Sequence, residues 1–343
     1  MTLGILTALP ERPPVIVADN GSSDGTAAAA ARWPGVRVIA LGYNAGAAAR
    51  TAGVQAARTP YVAFSDDDSW WEPGALAHAA SALAAAPQVG LLAGRILVQP
   101  GNREDPVNRL LAAGPPSAAL PGGHDILGFL ACAAIVRRTA YLEAGGFHPR
   151  LGIGGEEDML ALDLRTAGWH CCHLPEVIAH HRPAHGDPRP GRARREVRNA
   201  LWTAWLRRRP AGALRRTGEV LGRDWRHGPT WSGLAQAAAG LPWVLAQRSP
   251  VDPATEALLR TGLNGGPPGR AQVSTRRSLM SLGDKIGNKA EELKGKGKEE
   301  IGDATDDESL QAEGKGDQAG AGVKQAGEHV KDAAGDVKKA FTD

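Results

Sequence analysis

The feature that most constrains this chain is a regular alternation, between Pro14 and His181, of short runs rich in β-branched residues with alanine-rich stretches. The β-rich runs are apolar at nearly every position, which is typical of strands covered on both faces. Strands and helices in alternation favour an α/β fold with a mostly parallel sheet flanked by helices. Because ligands bind beyond the carboxyl ends of such strands, we expect a functional site in the loops after Ala18 and Ser65.

The predicted strands share β-branched or aromatic residues bounded by turn residues. They are Val15–Ala18, Val36–Ala40, Tyr61–Ser65, Val89–Val98, Ile126–Val136 and Trp169–Leu174. The predicted helices are alanine-rich, and several begin after an Asp, Ser or Thr that can cap the first turn. They are Gly25–Arg32, Gly46–Arg58, Glu72–Ala86, Thr139–Ala144 and Glu156–Ala167.

Length and composition indicate a folded protein of about two domains, since domains of roughly 100–200 residues are usual and this chain has 343. Its longest apolar run, Ile126–Val136, is shorter than the roughly 18 residues of a membrane span. The N-terminus lacks the basic and apolar regions of a secretory signal. Three cysteines, Cys132, Cys171 and Cys172, suit neither a disulfide framework nor a CxxC metal site, so we expect a reducing, cytoplasmic location.

Charge divides the chain into two unlike parts. All 30 Arg and all nine Trp lie before residue 280 and all 10 Lys lie after it, so residues 1–279 carry +8 and residues 280–343 carry −5. We predict a sheet domain over 1–188, a helical Arg/Trp-rich extension over 189–262, a linker over 263–279 and a small, weakly structured helical domain over 280–343.

Three consecutive carboxylates follow one predicted strand. In an extended segment residues i and i+2 point the same way, so Asp66 and Asp68 are predicted to face one ion while Asp67 faces elsewhere. Carboxylate oxygens suit hard cations such as Mg²⁺ and Mn²⁺, which also take ligands from a diphosphate. The alternative interpretation is an acidic surface turn.

Two further polar segments follow the early strands. Asp19 and Asn20 end the first predicted strand, where Asp19 can accept a hydrogen bond from a base N–H or the turn can simply cap a helix. The segment from Asn44 through Gly46 leads to Arg50, which projects from a helix of small residues. Arg50 is either a contact for a diphosphate or base, or a solvated charge.

The last polar segments lie further along the chain. Gly145–Phe147 precedes an acidic run, Glu156–Asp158, that opens a helix, where carboxylates also complement the helix dipole without any further role. His180 and His181 end a further strand-like segment, Pro175–His181. They face opposite sides of it, and each is either a ligand or a packing residue.

Taken together and in this order, these segments resemble family 2 glycosyltransferases with the GT-A fold over about residues 2–185. The family pattern has an Asp-Asn-Gly-Ser turn, an Asn-x-Gly segment with a later Arg, a strand ending in D-x-D, a Gly-Gly-Phe, a Glu-Asp pair and a late His. The matching residues are Asp19–Ser22, Asn44, Gly46, Arg50, Asp66–Asp68, Gly145–Phe147, Glu157–Asp158, and His180 or His181.

The resemblance implies an inverting transferase that moves a sugar from a nucleotide-diphosphate donor to an acceptor glycan or lipid-linked sugar. The residues implied in donor binding are Asp19, Asn20, Asn44, Arg50 and Asp67. The residues implied in holding Mn²⁺ or Mg²⁺ are Asp66, Asp68 and His181 or His180. Asp158 is implied as the general base, with Glu157 beside it as the other catalytic residue.

The acidic, lysine-containing segment over 280–343 resembles a complete CsbD-like stress protein. Within it Ala319, Ala326 and Ala333 recur every seven residues, as do Val323 and Val330, which predicts a thin apolar stripe on a helix. So small a stripe buries little area to offset the entropy of ordering.

The chain departs from the family pattern at its N-terminus, where Met1–Leu9 resembles the end of the helix that follows the family's first strand. We therefore expect a sheet without that inner strand, with unpaired backbone beside it. A non-catalytic GT-A remnant fused to a CsbD-like module is thus the alternative to an enzyme. A sugar-phosphate nucleotidyltransferase is disfavoured because no Gly-rich phosphate loop is present.

The Arg/Trp-rich extension offers two interpretations. Trp202 and Trp205 lie on one predicted helical face with Arg194, Arg195 and Arg198 nearby and Arg207–Arg209 beyond them. Such a helix can dock at the inner face of an anionic membrane, giving a peripheral location, or can pack its Trp residues on the sheet domain with solvated Arg residues. The helical Trp spacing suits packing, so nucleic acid is not expected as a partner.

Overall fold

A computed structural model describes residues 1–183, 191–224 and 228–260. These residues belong to one compact unit. The predicted linker and CsbD-like domain, with its heptad stripe, lie outside the described residues.

The strands, numbered in chain order, include two long ones and several short ones. They are β1 Val15–Asp19, β2 Val36–Ala40, β3 Tyr61–Ala63, β4 Ser69–Trp71, β5 Val89–Val98, β6 Arg103–Glu104, β7 His124–Asp125, β8 Ala134–Arg137 and β9 His170–His181.

The helices are interspersed with the strands as far as β9 and then follow one another. They are α1 Thr2–Thr7, α2 Thr26–Ala31, α3 Ala49–Ala56, α4 Ala75–Ala85, α5 Pro106–Ala112, α6 Arg138–Glu143, α7 Glu156–Thr166, α8 Arg192–Arg207, α9 Pro210–Asp224, α10 Gly228–Ala239, α11 Leu241–Ala246 and α12 Pro253–Arg260.

The α/β class is confirmed, with a central sheet flanked by helices, but the sheet is mixed rather than mostly parallel. The larger sheet has the order β3-β8-β5-β9-β4, with β6 paired to β5 and β7 to β9. Within it β5 and β9 run parallel and the other pairs run antiparallel. The prediction of a mostly parallel sheet was wrong because a strand buried on both faces needs apolar residues whether it runs parallel or antiparallel.

Two predicted strands differ from the observed ones in ways that affect the site. Within the predicted strand Ile126–Val136, the strand proper begins at Ala134, after a turn of 3-10 helix over Ala131–Ala133. The predicted strand Trp169–Leu174 instead continues to His181 as β9. This extension carries the two histidines into the sheet.

β1 and β2 form a separate parallel pair. Among the described residues no sheet hydrogen bonds join this pair to the larger sheet, so β1 and β3 each have a single strand partner. The apolar residues of β1 and β3 remain partly exposed. The expectation of an absent inner strand stays a prediction.

The core has two layers, one on each face of the larger sheet. Leu91 of β5 packs with Val54 and Tyr141 on one side, and Leu92 packs with Trp71 and Leu83 on the other. Adjacent residues of one strand therefore serve opposite layers, as the alternation of side chains along a strand requires. The helices that supply both layers also fix the loops at the sheet edge.

The helical extension packs on the sheet domain, which corrects the docking interpretation of α8. Trp202 is 8% exposed, and its indole N–H donates to the Ala237 carbonyl at 3.0 Å. The Trp205 indole donates to Thr217, and Leu151 and Met159 join both Trp residues in one apolar cluster. Helix α8 thus cannot present Trp202 and Trp205 to a membrane, because its apolar face forms a core.

The arginines after Trp205 are also not all solvated. Arg207 pairs with Asp163 of α7, and Arg208 pairs with Glu256 of α12 at 3.0 Å, with side chains only 4% and 2% exposed. Glu256 also accepts from the Arg209 backbone N–H at 3.1 Å. This buried ion pair fixes α12 against the end of α8.

We expect Arg208→Met to lower the free energy of unfolding by ~3–5 kcal/mol, because it leaves the buried Glu256 carboxylate with only the exposed Arg260, at 3.9 Å, as a cationic partner. Arg192→Met is the matched control, since Arg192 makes an exposed i,i+4 pair with Glu196 and should cost less than ~1 kcal/mol. Urea unfolding of the full chain measures both. Equal losses would contradict a special role for the buried pair.

Candidate active site

The acidic segment after β3 is a tight turn, not the extended chain that the sequence suggested. The Asp66 N–H donates to the Ser69 hydroxyl at 2.7 Å, and the Ser69 N–H returns to the Asp66 carbonyl at 3.1 Å. The Asp67 side chain is exposed at the tip, and its carbonyl accepts from the Thr2 hydroxyl. The turn gives the three carboxylates three different surroundings.

Asp66 forms an ion pair with Arg50, which α3 projects toward the turn. Burial alone would lower the pKa of Arg50, but the neighbouring Asp66, Glu157 and Glu156 carboxylates raise it. The guanidinium carbon also lies 5.6 Å from the ring centroid of Phe147, which serves as its platform. Arg50 therefore connects the acidic turn with the start of α7.

Asp68 faces His181. The antiparallel pairing of β4 with β9 sets Ser69 opposite His181, which brings the imidazole Nε2 to 3.5 Å from the Asp68 carboxylate. This contact raises the pKa of His181, although burial opposes the shift. The other ring nitrogen is buried and finds no hydrogen-bond partner among the described residues.

His180 occupies a different environment, which corrects the interpretation that either histidine could join the carboxylates. Its ring stacks on Trp70 at 5.5 Å, between Glu72 on one nitrogen and the Gln99 amide at 2.8 Å on the other. Neighbouring residues of a strand point to opposite faces, so only one of the two can face Asp68. His180 is a packed residue that Glu72 and Gln99 orient.

The end of β1 provides a second set of polar groups. Asp19 is 6% exposed; one carboxylate oxygen accepts from the Ser22 N–H at 3.3 Å, and the other has no partner among the described residues. Asn20 bonds the Ala45 N–H at 2.7 Å and the Gly46 carbonyl at 3.1 Å. Asn20 thus fixes the loop before α3, while Asp19 offers a free acceptor.

Asn44 is exposed and closes its own turn by accepting from the Gly46 N–H at 2.9 Å. Gly46 has a φ of +61°, and a Cβ there would lie 2.6 Å from the backbone of Gly152. The Ala47 N–H also donates to the Gly152 carbonyl at 3.1 Å. The close approach requires glycine and ties this loop to the segment before α7.

The first turn of α7 carries the acidic run. Glu156 is buried and accepts from the Gly154 N–H. Burial and the neighbouring Glu156 and Asp158 carboxylates raise the pKa of Glu157 to about 8, against the lowering effect of Arg50. Asp158 is partly buried in the same turn.

A positioning residue that sequence reasoning missed is Asn199 of α8. It is fully buried, and its amide donates to the Leu151 carbonyl at 2.9 Å and the Gly154 carbonyl at 2.8 Å. These bonds fix the loop that leads into Glu156 and Glu157. The sequence offered one signal, an amide on the apolar side of a Trp-bearing helix.

The site thus holds carboxylates, an imidazole and an arginine of the types that bind a metal-diphosphate group. Among residues 1–183, 191–224 and 228–260 no cluster of three or more His, Cys, Asp and Glu is assembled. Asp68 and His181 nevertheless form a pair of suitable ligand types at 3.5 Å, and Asp66 lies in the same turn. The donor set therefore fits a divalent cation.

Comparison with known proteins identifies two families in this chain. A family model described as "Glycosyl transferase family 2" matches residues 6–145, and one described as "CsbD-like" matches residues 284–336. The chain is similar to the N-acetylglucosaminyl-diphospho-decaprenol L-rhamnosyltransferase of Mycobacterium tuberculosis, with 30% identity over 54% of this chain and 72% of that protein. It is also similar to a UPF0337 protein of Corynebacterium efficiens, with 64% identity over 11% of this chain and 67% of that protein.

A solved structure with the same fold is GalNAc-T7 with UDP, GalNAc and Mn²⁺, with a TM-score of 0.50 and 12% identity. The match covers 78% of this chain and 56% of that one. The chain belongs to glycosyl transferase family 2 and carries a CsbD-like segment, which confirms both resemblances. It is a glycosyltransferase with an α/β fold.

We expect Asp68→Asn to lower the pKa of His181 in the metal-free protein, because the carboxylate that stabilises the imidazolium is gone. His173 is the internal control, since burial lowers its pKa and Asp68 is not among the groups that shift it. Titration of the imidazole resonances by NMR measures both. An unchanged His181 midpoint would contradict the contact.

Proposed function

We propose that this glycosyltransferase moves a sugar from a nucleotide-diphosphate donor to an acceptor hydroxyl with inversion, assisted by Mn²⁺ or Mg²⁺. The observation that carries the proposal is the Arg50–Asp66 ion pair, which lies beside the Asp68–His181 pair and within the electrostatic influence of Glu157. This arrangement sets a carboxylate of raised pKa against a site for a diphosphate. The two sides can serve the acceptor and the leaving group of one displacement.

On the donor side, the free oxygen of Asp19 accepts an N–H of the nucleotide base. A buried acceptor without a partner costs stability unless a ligand satisfies it, which supports this role. Arg50 contacts the diphosphate, and Asn20 and Asn44 shape the loop through which α3 presents it. Asp67, exposed at the turn, is the remaining donor contact that the family resemblance implies.

Asp68 and His181 hold the cation, with Asp66 as the third ligand. When bound, the cation supplies Lewis-acid stabilisation of the leaving nucleoside diphosphate. Arg50 meanwhile orients the Asp66 carboxylate through their ion pair. The GalNAc-T7 structure, which contains Mn²⁺ and UDP, supports a divalent cation in a fold of this kind.

The general base lies at the start of α7. We place it at Glu157, because burial and the neighbouring Glu156 and Asp158 carboxylates raise its pKa to about 8, and Asp158 remains the alternative that the resemblance implies. The base removes the proton of the acceptor hydroxyl as its oxygen attacks the anomeric carbon from the face opposite the diphosphate. One such displacement inverts the configuration.

The acceptor is a glycan or a lipid-linked sugar. The similar M. tuberculosis protein is named for an acceptor made of N-acetylglucosamine on a diphospho-decaprenol, which favours the lipid-linked class. Asn199 fixes the loop that leads to Glu157, the proposed base for the acceptor hydroxyl.

Asp68→Asn should abolish Mn²⁺-dependent binding of nucleoside diphosphates, because it removes one ligand and leaves His181 without its partner. Asp24→Asn is the control, an exposed Asp in another loop. Loss of the free Mn²⁺ signal in electron paramagnetic resonance, with each common nucleoside diphosphate present, measures binding apart from turnover. Equal binding by wild-type and Asp68→Asn would contradict the metal site.

Glu157→Gln should lower turnover by ~10²–10⁴ while nucleotide binding persists, because the base acts on the acceptor. Since only the carboxylate can take a proton, kcat/KM of the wild type should rise with pH through about 8. Asp158→Asn is the matched variant, and a large loss there with near-normal Glu157→Gln would move the base to Asp158. Binding of donor without any transfer by the wild type would instead favour the non-catalytic alternative.

A further inference from the structure

Helices α10 and α11 form a surface that the proposed reaction does not use. Residues 228–247, here called the uncharged helix pair, contain no Asp, Glu, Lys, Arg or His. We propose that the uncharged helix pair docks on the surface of a bilayer that contains anionic phospholipids. The occupant is the membrane interface rather than a protein, for three reasons drawn from burial, charge and helix length.

One side of the pair is committed to the fold. Gly233, Ala237, Gly240 and Val244 are buried. A Cβ at Gly233 would lie 2.7 Å from Val197 of α8, and one at Gly240 would lie 2.6 Å from the Trp202 ring. The small residues therefore seat α10 and α11 tightly on α8, and the orientation of the opposite side is fixed.

The opposite side is apolar yet exposed. Trp231 is 58% exposed, Leu241 40% and Leu245 59%. The other exposed residues of the two helices whose side chains are described share the same character, being Ala235, Ala238, Ala239, Pro242 and Ala246. A helix on a protein surface ordinarily places charged residues opposite its core face, so this continuous apolar face is unusual.

Positive charge surrounds the apolar face. Arg150 is exposed and lies 5.2 Å over the ring of Trp243 in α11, and exposed Arg194 belongs to the turn of α8 on which Gly233 packs. A second copy of the chain would bring like charges together, whereas anionic headgroups complement them.

Helix length decides between spanning and lying on the membrane. α10 has 12 residues and α11 has six, and no helix in the described part of the chain is long and apolar enough to cross a membrane. Apolar helices framed by arginine, with Trp and Leu on the exposed side, instead lie in the interfacial plane.

The surface also adjoins the site. His148, which directly follows the Gly-Gly-Phe segment, stacks on Trp243 at 5.3 Å, and Gly152 of the same loop bonds Ala47 beside the donor loop. Docking would thus hold the loop between the Gly-Gly-Phe segment and α7 near lipid. The benefit of docking for the reaction rests on the proposed lipid-linked acceptor, but the docking itself does not.

The test is flotation of the full chain with vesicles of phosphatidylcholine and phosphatidylglycerol that contain neither donor nor acceptor. We expect binding at low salt that weakens in high salt and in pure phosphatidylcholine. Leu241→Gln with Leu245→Gln should reduce the partition coefficient by about tenfold or more, because less apolar area enters the interface. Leu214→Gln is the matched control, a 61% exposed leucine on α9, and should bind like the wild type.

Quenching of tryptophan fluorescence by brominated lipid gives a second readout. The Trp231→Phe variant should show less quenching than the wild type. Nucleotide binding by the double variant should be unchanged, so that failure of docking and failure of the proposed function are separate results. Three outcomes would overturn the proposal: a wild-type chain that stays unbound at low salt, a double variant that binds vesicles normally, or a wild-type dimer that the double variant converts to a monomer.

Discussion

The parallel pairing of β5 with β9 is the constraint on which the rest of the structure depends. It runs from Val89 opposite His170 to Val98 opposite His181, and both faces of β5 are buried by the two core layers. Because β9 is held along this length, its last residue arrives at a defined place beside β4. The Asp68–His181 contact is therefore a consequence of sheet register rather than of any local preference of the acidic turn.

Arg50 has the corresponding role among the charges. A partly buried cation is stabilised by nearby carboxylates, and Arg50 has them on two elements: it pairs with Asp66 after β3, and Glu157 at the start of α7 acts on it electrostatically. The aromatic ring of Phe147 lies against the Arg50 guanidinium, and the amide of Asn199 holds the loop before α7. The helical extension is thus part of the site's support, although it contributes none of the proposed reacting groups.

The sequence predicted the elements and the polar residues better than their arrangement. The six strand regions contain observed strands, and the acidic turn, Arg50 and the α7 carboxylates do meet at one edge of the sheet. The prediction of a mostly parallel sheet was wrong, because an apolar run indicates that a strand is buried but not whether it runs parallel or antiparallel to its neighbours. The membrane-docking interpretation of α8 failed for a similar reason, since Trp202 and Arg207 have the same spacing whether they face lipid or a protein core.

The sequence by itself determined the α/β class, the two families joined in one chain, and the candidate site residues, because motif order and residue type are local properties. Tertiary structure decided which of two adjacent histidines faces Asp68, that Asp66 is paired with Arg50, and which helix surface stays exposed. Those choices depend on register and packing between segments that lie far apart in the chain, such as β4 against β9 and α10 against α8. No window of sequence contains both members of such a pair.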